Sequence, residues 1–192
     1  MAASPSAQEL CETEAERACL ARLRELAYET DGPLERHGVR AFLLCLELAA
    51  RGGLTVDREL LLCAALLHDV GLLPGAATGD LYVRDGRRVA EDLLFTLGWP
   101  TGRLALLGET VERHHEVRSQ WRRGAEVELL RRADLIEVSA GVVAFGLPRG
   151  RIRGLFRAVP REGFFRGIGV LVVRVLRDRP STLPRIFAPS QR

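Results

Sequence analysis

The segment Leu60–Leu73, "LLLCAALLHDVGLL", constrains the chain more than any other. Leu60, Leu61, Leu62, Ala64, Ala65, Leu66 and Leu67 turn apolar side chains to every side of a helix, so only a central position buries them. Thr55 and Asp57 offer N-caps for this helix, and Gly71 followed by Pro74 predicts its end near Gly71. The run closes on two ionisable residues, His68 and Asp69. Burying such a pair is costly unless each charge is compensated. Whatever surrounds this helix must therefore also answer for them.

The rest of the chain reads as helices that could surround it. "SAQE" at Ser6–Glu9 is a capping box opening an amphipathic run to about Tyr28. A second helix runs from about Leu34 to Arg51 and stops at Gly52-Gly53. The glycine-rich stretch 73–86 reads as a loop. Helices follow near 86–97, 101–116 and 125–145, with "GWPTG" breaking the first two apart. A short helix near 151–157 and a longer one near 161–178 complete the set. Pro180, Pro184 and Pro189 mark an extended C-terminus. Without repeats, long linkers or sustained strand alternation, the expected fold is all-α, a single-domain helical bundle of about seven to nine helices.

Composition narrows the chemistry. The chain holds 192 residues, enough for one sizeable core. It has neither lysine nor asparagine, which removes Schiff-base lysine chemistry, a Walker-A loop and a Cys-His-Asn triad. Cys11, Cys19, Cys45 and Cys63 show no CxxC spacing and read as reduced, packed thiols. No apolar run is long enough to cross a bilayer, and the N-terminus lacks the order of a signal peptide, so a cytoplasmic location is expected. Residues 1–146 carry 17 Arg against 23 acids, whereas residues 147–192 carry 11 Arg against 2. That basic segment could meet nucleic acid, an anionic surface or phosphate. The favoured alternative is an amphipathic segment whose arginines are solvated or pair with the acidic body. Its few aromatics (Phe156, Phe164, Phe165 and Phe187) read as core, which argues against nucleic acid.

The four histidines are His37, His68, His114 and His115, each with a carboxylate or another histidine close by in sequence. His68 and Asp69 point about 100° apart on an ideal helix but can share an ion at its end. Imidazole with carboxylate suits Zn, Mn, Fe, Co or Ni, and a bound cation would offset the burial of Asp69. Two ligands are too few. His37, with Arg40 on the same helical face, and Asp134, in the apolar helix "LLRRADLIEVSAG", are the candidates to complete the set. Taken alone, Asp134 reads as a surface acid behind Arg131 and Arg132.

Taken in order, His37, His68-Asp69 and Asp134 resemble the H…HD…D signature of the HD-domain superfamily of metal-dependent hydrolases. "RHGVRAF" resembles its H-x-x-R element, "ALLHDVG" its "LLHDIG" and "RRADLIEV" its "xxADxL". The resemblance implies that these four residues bind a divalent metal inside a helical bundle. Residues 1–30 would then be an N-terminal helix packed on a metal-binding core of 31–146. Residues 147–180 would form basic helices of the same domain, and 181–192 a tail.

"VERHHEV" resembles the histidine element that some members place between the second and last motifs. It makes His114 and His115 candidate catalytic residues, or ligands of a second ion. On the expected helix the two diverge by about 100°, so only one reaches the first ion, and His114 is favoured. A cyclic-di-GMP phosphodiesterase of the HD-GYP type is not indicated, since "RSQWRR" stands where GYP should follow and Leu72 where that group has lysine. "YVRDGRRVAEDLLFTLGWP" and "PREGFFRGIGVLVVRVLRDRPSTLP" resemble segments of cyanamide-hydratase-like members. Tyr82 and Arg87 depart from that group's phenylalanine and alanine, and "RHHEVRSQ" from its "LHTS".

The resemblance implies one or two divalent ions, a small-molecule substrate and hydrolysis of a small, nucleotide-like phosphoester. Hydration of a small nitrile-type substrate is the alternative. A di-iron oxygenase, a non-catalytic binding module and a homo-oligomer stay open. Arg40 would bind a substrate oxyanion or pair with Glu35 or Glu47. Glu112 and Glu116 are candidate partners for imidazole N–H groups, or solvated. Asp80 and Asp85 would be acids over the pocket or turn residues.

Overall fold

Every residue from Leu60 to Leu67 is buried, and the fold is arranged around that fact. The structure, a computed structural model, describes residues 5–178. Among these there are nine α-helices, two short 3-10 turns and no strand. The α-helices are α1 (Ala7–Leu10), α2 (Glu14–Ala27), α3 (Pro33–Gly52), α4 (Arg58–Leu67) and α5 (Tyr82–Thr96). After them come α6 (Thr101–Glu112), α7 (Ala125–Val138), α8 (Arg149–Ala158) and α9 (Phe164–Asp178). The 3-10 turns are Val70–Leu72 and Pro74–Ala76. Helix α4, capped by the Asp57 side chain on the Leu60 N–H, packs against α2, α3, α5, α6 and α7. Helices α8 and α9 lie against α3, and α9 also reaches the first 3-10 turn.

Helix α4 ends at Leu67, before the stop expected near Gly71, and four further boundaries differ from the sequence reading. The single helix expected from Ser6 to Tyr28 is two. A second capping box, Thr13 with Glu16, starts α2 afresh, and the Glu16 carboxylate also takes the Glu12 N–H at 2.6 Å. The expected loop 73–86 holds the second 3-10 turn and the first turn of α5. There Asp85 is buried and accepts from the Thr78 N–H at 3.1 Å and from its hydroxyl, tying the loop to the helix. Gly71 acts here as a contact surface: a Cβ on it would stand 1.9 Å from the Tyr82 carbonyl oxygen. The third and fourth boundaries lie nearer the histidines, since α6 stops at Glu112 and α7 at Val138, where Ala140 and Gly141 turn left-handed.

The four cysteines are free, and Cys19, Cys45 and Cys63 are buried. Several arginines of the basic segment engage the body. Arg151 pairs with Glu47 at 3.1 Å, Arg161 donates to the Glu137 carbonyl at 2.6 Å, and Arg149 to that of Gly141 at 2.7 Å. Phe164 is buried as expected, but Phe165, a hundred degrees round the same helix, is exposed. Pro180, Pro184, Pro189 and Phe187, with the expected tail 181–192, lie outside the described residues. Among the described residues no helix is long and apolar enough to cross a membrane.

Candidate metal centre

All four histidines and two of the carboxylates converge on one point in the interior. His37 comes from α3, His68 and Asp69 from the end of α4, His114 and His115 from the turn after α6, and Asp134 from α7. What lets α3 and α4 approach is Gly38, whose hydrogen lies where a Cβ would meet the Ala65 carbonyl oxygen at 2.7 Å. His37 Nε2 then stands 2.9 Å from His68 Nε2. It lies 3.3 Å from Asp134 Oδ1 and 3.5 Å from Asp69 Oδ2, while His68 Nε2 is 3.4 Å from that same oxygen.

The pair "HD" works because α4 has ended. His68 caps the helix and Asp69 has already left helical geometry (φ −102°, ψ 1°), so the two side chains meet instead of diverging. The same device serves "HH". Helix α6 was expected to run through both histidines, which would have turned one away. It ends at Glu112, and the turn brings both rings to the cluster, their centroids 4.0 Å apart. His114 Nε2 lies 3.5 Å from Asp69 Oδ1, and His115 Nδ1 3.2 Å from Asp134 Oδ2.

Hydrogen bonding fixes which nitrogens face inward. His68 Nδ1 lies 2.8 Å from the Ala65 carbonyl and His114 Nδ1 2.6 Å from that of Val111. A carbonyl only accepts, so each Nδ1 carries the proton and each Nε2 turns a lone pair to the cluster. Here the expectation for Glu112 and Glu116 is corrected. The partners of those N–H groups are backbone carbonyls, while Glu112 pairs with Arg87 at 2.9 Å and Glu116 with Arg113 at 3.3 Å.

Burial is nearly complete: His37, His68 and His114 are each 1% exposed and Asp134 2%. His115 is the most open of the group, its side chain 26% exposed. Burial, the largest influence on His37, lowers its pKa, but Asp134, Glu137 and Asp69 outweigh it and raise it to about 9. His68 goes the other way, to about 4, through burial and its neighbours His114 and His37. Asp69 and Asp134 are raised by burial, yet the surrounding imidazoles hold both carboxyls below the usual range. Burial lowers His115, and Asp134 more than restores it. As protein groups alone, His37 carries the proton that bridges to His68.

Three sets of donors fit a cation: His37, His68 and Asp134; His68, Asp69 and His114; His114, His115 and Asp134. An ion with bonds of about 2.1 Å separates neighbouring donors by roughly 3.0–3.4 Å. The distances above fall on or near that interval. Asp69 Oδ1, His114 Nε2 and Asp134 Oδ1 are buried without a hydrogen-bond partner, the condition that an ion relieves. The donor set fits a divalent metal.

Around the cluster, Phe164 lies on His37 with ring centroids 4.5 Å apart. The ring of Tyr82, itself buried, is 6.2 Å from His114 and 6.0 Å from His115. Arg40 is fully buried, but its guanidinium is taken by Glu137 (Nε to Oε1, 2.7 Å) and the Pro160 carbonyl (Nη1, 2.6 Å). Neither expected partner holds it: Glu35 pairs with Arg24 and Glu47 with Arg151. Asp85 is tied to Thr78, and Asp80 accepts the Leu81 N–H at 2.7 Å. The sequence reading overlooked Tyr82 as a neighbour of the histidines and Glu137 altogether. The only signal for Glu137 is its place one turn after Asp134, on the same face of α7.

Compared with known families, residues 34–139 match the family model of the HD domain, which spans all six of these residues. A search of curated proteins finds no match.

Proposed function

The chain belongs to the HD-domain family, and on that premise we propose that it is a metal-dependent hydrolase acting on a small, nucleotide-like phosphoester. The observation that carries this reading is the set of inward lone pairs. Two imidazoles are fixed by backbone carbonyls so that Nε2 faces two buried carboxylates, at distances that suit a shared ion. His37, His68, Asp69 and Asp134 would hold the first ion. His114 and His115 either complete a second site with Asp69 and Asp134 or serve the substrate directly. A divalent ion held there supplies Lewis acidity and lowers the pKa of coordinated water towards neutrality.

The chain's own groups supply the rest. His115 is the most exposed imidazole and Asp134 favours its protonated form, so it is placed to give a proton to a leaving oxygen. His114, held by Val111 and with Nε2 inward, is placed to accept one. Phe164, Tyr82 and the wall of α4 exclude bulk water, which strengthens every charge interaction inside.

A second reading has an observation of its own. A phosphate favours a nearby arginine, and Arg40 is committed to Glu137. An enclosed, aromatic-walled cluster suits a small neutral molecule, and hydration of a nitrile-type substrate follows from that.

Elemental analysis with a substrate panel tests both. The wild type should hold stoichiometric divalent metal, and His68→Ala and Asp134→Ala should lose it. The panel sets nucleoside monophosphates and a generic phosphodiester against cyanamide. Turnover of cyanamide alone would replace the first reading by the second. A metal-free wild type, unchanged by His68→Ala, would remove both.

A further inference from the structure

The three innermost histidines differ in how their outward nitrogen is held. His68 and His114 each rest Nδ1 on the carbonyl three residues back. His37 lies within α3, where such carbonyls are spent on the helix, and its Nδ1 is buried without a hydrogen bond. The group facing it is Glu137, whose Oε1 stands 3.6 Å away, and whose Oε2 is likewise buried without a hydrogen bond. At that distance the contact is electrostatic, and a small rotation of the carboxylate closes it to a hydrogen bond. Glu137 is 0% exposed, and Arg40 grips its Oε1 through Nε at 2.7 Å and Nη2 at 2.6 Å. Arg161 Nε approaches Oε2 at 3.5 Å. A carboxylate buried this deeply, clamped by one arginine and turned to the back of one imidazole, orients that ring.

We propose that Glu137 is the positioning residue of the site: it accepts a hydrogen bond from the Nδ1–H of His37 and so commits Nε2 of that ring to the metal, while Arg40 fixes the carboxylate. The inference rests on the metal-centre reading above. Partners of this kind on a ligating imidazole typically contribute about 10- to 100-fold in metal affinity.

Removing Glu137 alone would strand the Arg40 charge and endanger the fold, so the test uses paired substitutions. Arg40→Met with Glu137→Leu removes both charges and the acceptor. Arg40→Met with Glu137→Gln removes both charges but keeps a carbonyl oxygen facing His37. Replacing a buried ion pair by apolar groups of similar volume is often neutral for stability, and far-UV circular dichroism of the metal-free proteins checks that both keep wild-type helicity. Cobalt(II) is the probe, giving both an affinity and a visible spectrum sensitive to the donor set. The leucine pair should bind cobalt about 10- to 100-fold more weakly than wild type, with an altered spectrum. The glutamine pair should recover most of that loss. Two helical variants that both match the wild type in affinity and spectrum would overturn the positioning role and leave the metal centre standing. A wild type that takes up no cobalt would overturn the metal-centre reading, and this inference with it.

Discussion

Glu128 shows how much one side chain of this protein holds together. It is fully buried, accepts the Gln120 N–H at 2.6 Å, and takes Arg131 and Arg132 at 2.8 and 2.7 Å. Burial raises its pKa, but these donors pull it down to about 2. A depressed carboxyl pKa contributes stability that is fully present above the unfolded value near 4.5 and is lost as the pH falls towards 2. Glu128→Gln should therefore cost about 2–4 kcal/mol in urea unfolding at pH 7. Its difference from wild type should shrink as the pH falls from about 4.5 to 2. Gly38→Ala probes the cluster itself. Its Cβ would press on backbone at Ala65, which cannot yield, so we expect about 1–3 kcal/mol of destabilisation together with weaker metal uptake in equilibrium dialysis. At this scale the sequence was informative where chemistry is rare. Four histidines in a chain of 192 residues, three of them directly beside another candidate ligand, draw the eye. Glu137 was not legible, because one glutamate among many acids shows its partner only when α3 and α7 are docked.

Among the helices, the central element was the easiest to read, since an all-round apolar run has one place to go. The ends were harder, and the ends carry the histidine cluster. His68-Asp69 and His114-His115 both converge because their helix has stopped just before them. Gly71 and Pro74 set the first stop about a turn too late, after His68 and Asp69 rather than at Leu67; nothing comparable marks the second, because Arg113 and the two histidines are all compatible with a helix. The N-terminal break was written in the sequence as Thr13 and Glu16 but hidden by the continuing amphipathic pattern. Thr13→Ala removes that cap and should cost about 1 kcal/mol by chemical denaturation, with Ser6→Ala at the short α1 costing less.

The molecule as a whole joins an acidic body to a basic C-terminal segment, and salt bridges such as Arg151–Glu47 already engage part of that asymmetry. If the cluster binds an ion only when folded, stability must follow ion concentration. At a free ion level of about 100 times Kd the gain is roughly 2.7 kcal/mol, or a rise in Tm of about 5–10 °C for a chain of this size. Thermal melts with a chelator and across a zinc or manganese series should show it. A Tm indifferent to both would mean that the cluster stays metal-free.

The long reach of the cluster along the chain bears on how the protein is made. His37 and His68 are 31 residues apart, and Arg40 and Glu137 are 97. A pocket assembled from such distant pieces exists only after α3, α4, α6 and α7 have docked, so an ion cannot seed folding as it does in a small zinc-stapled peptide. It would act as a latch on the finished product. In stopped-flow experiments added metal should leave the refolding rate almost unchanged and slow unfolding instead, as interactions absent from the folding transition state do. The ion would lengthen the life of the native protein without hastening its birth.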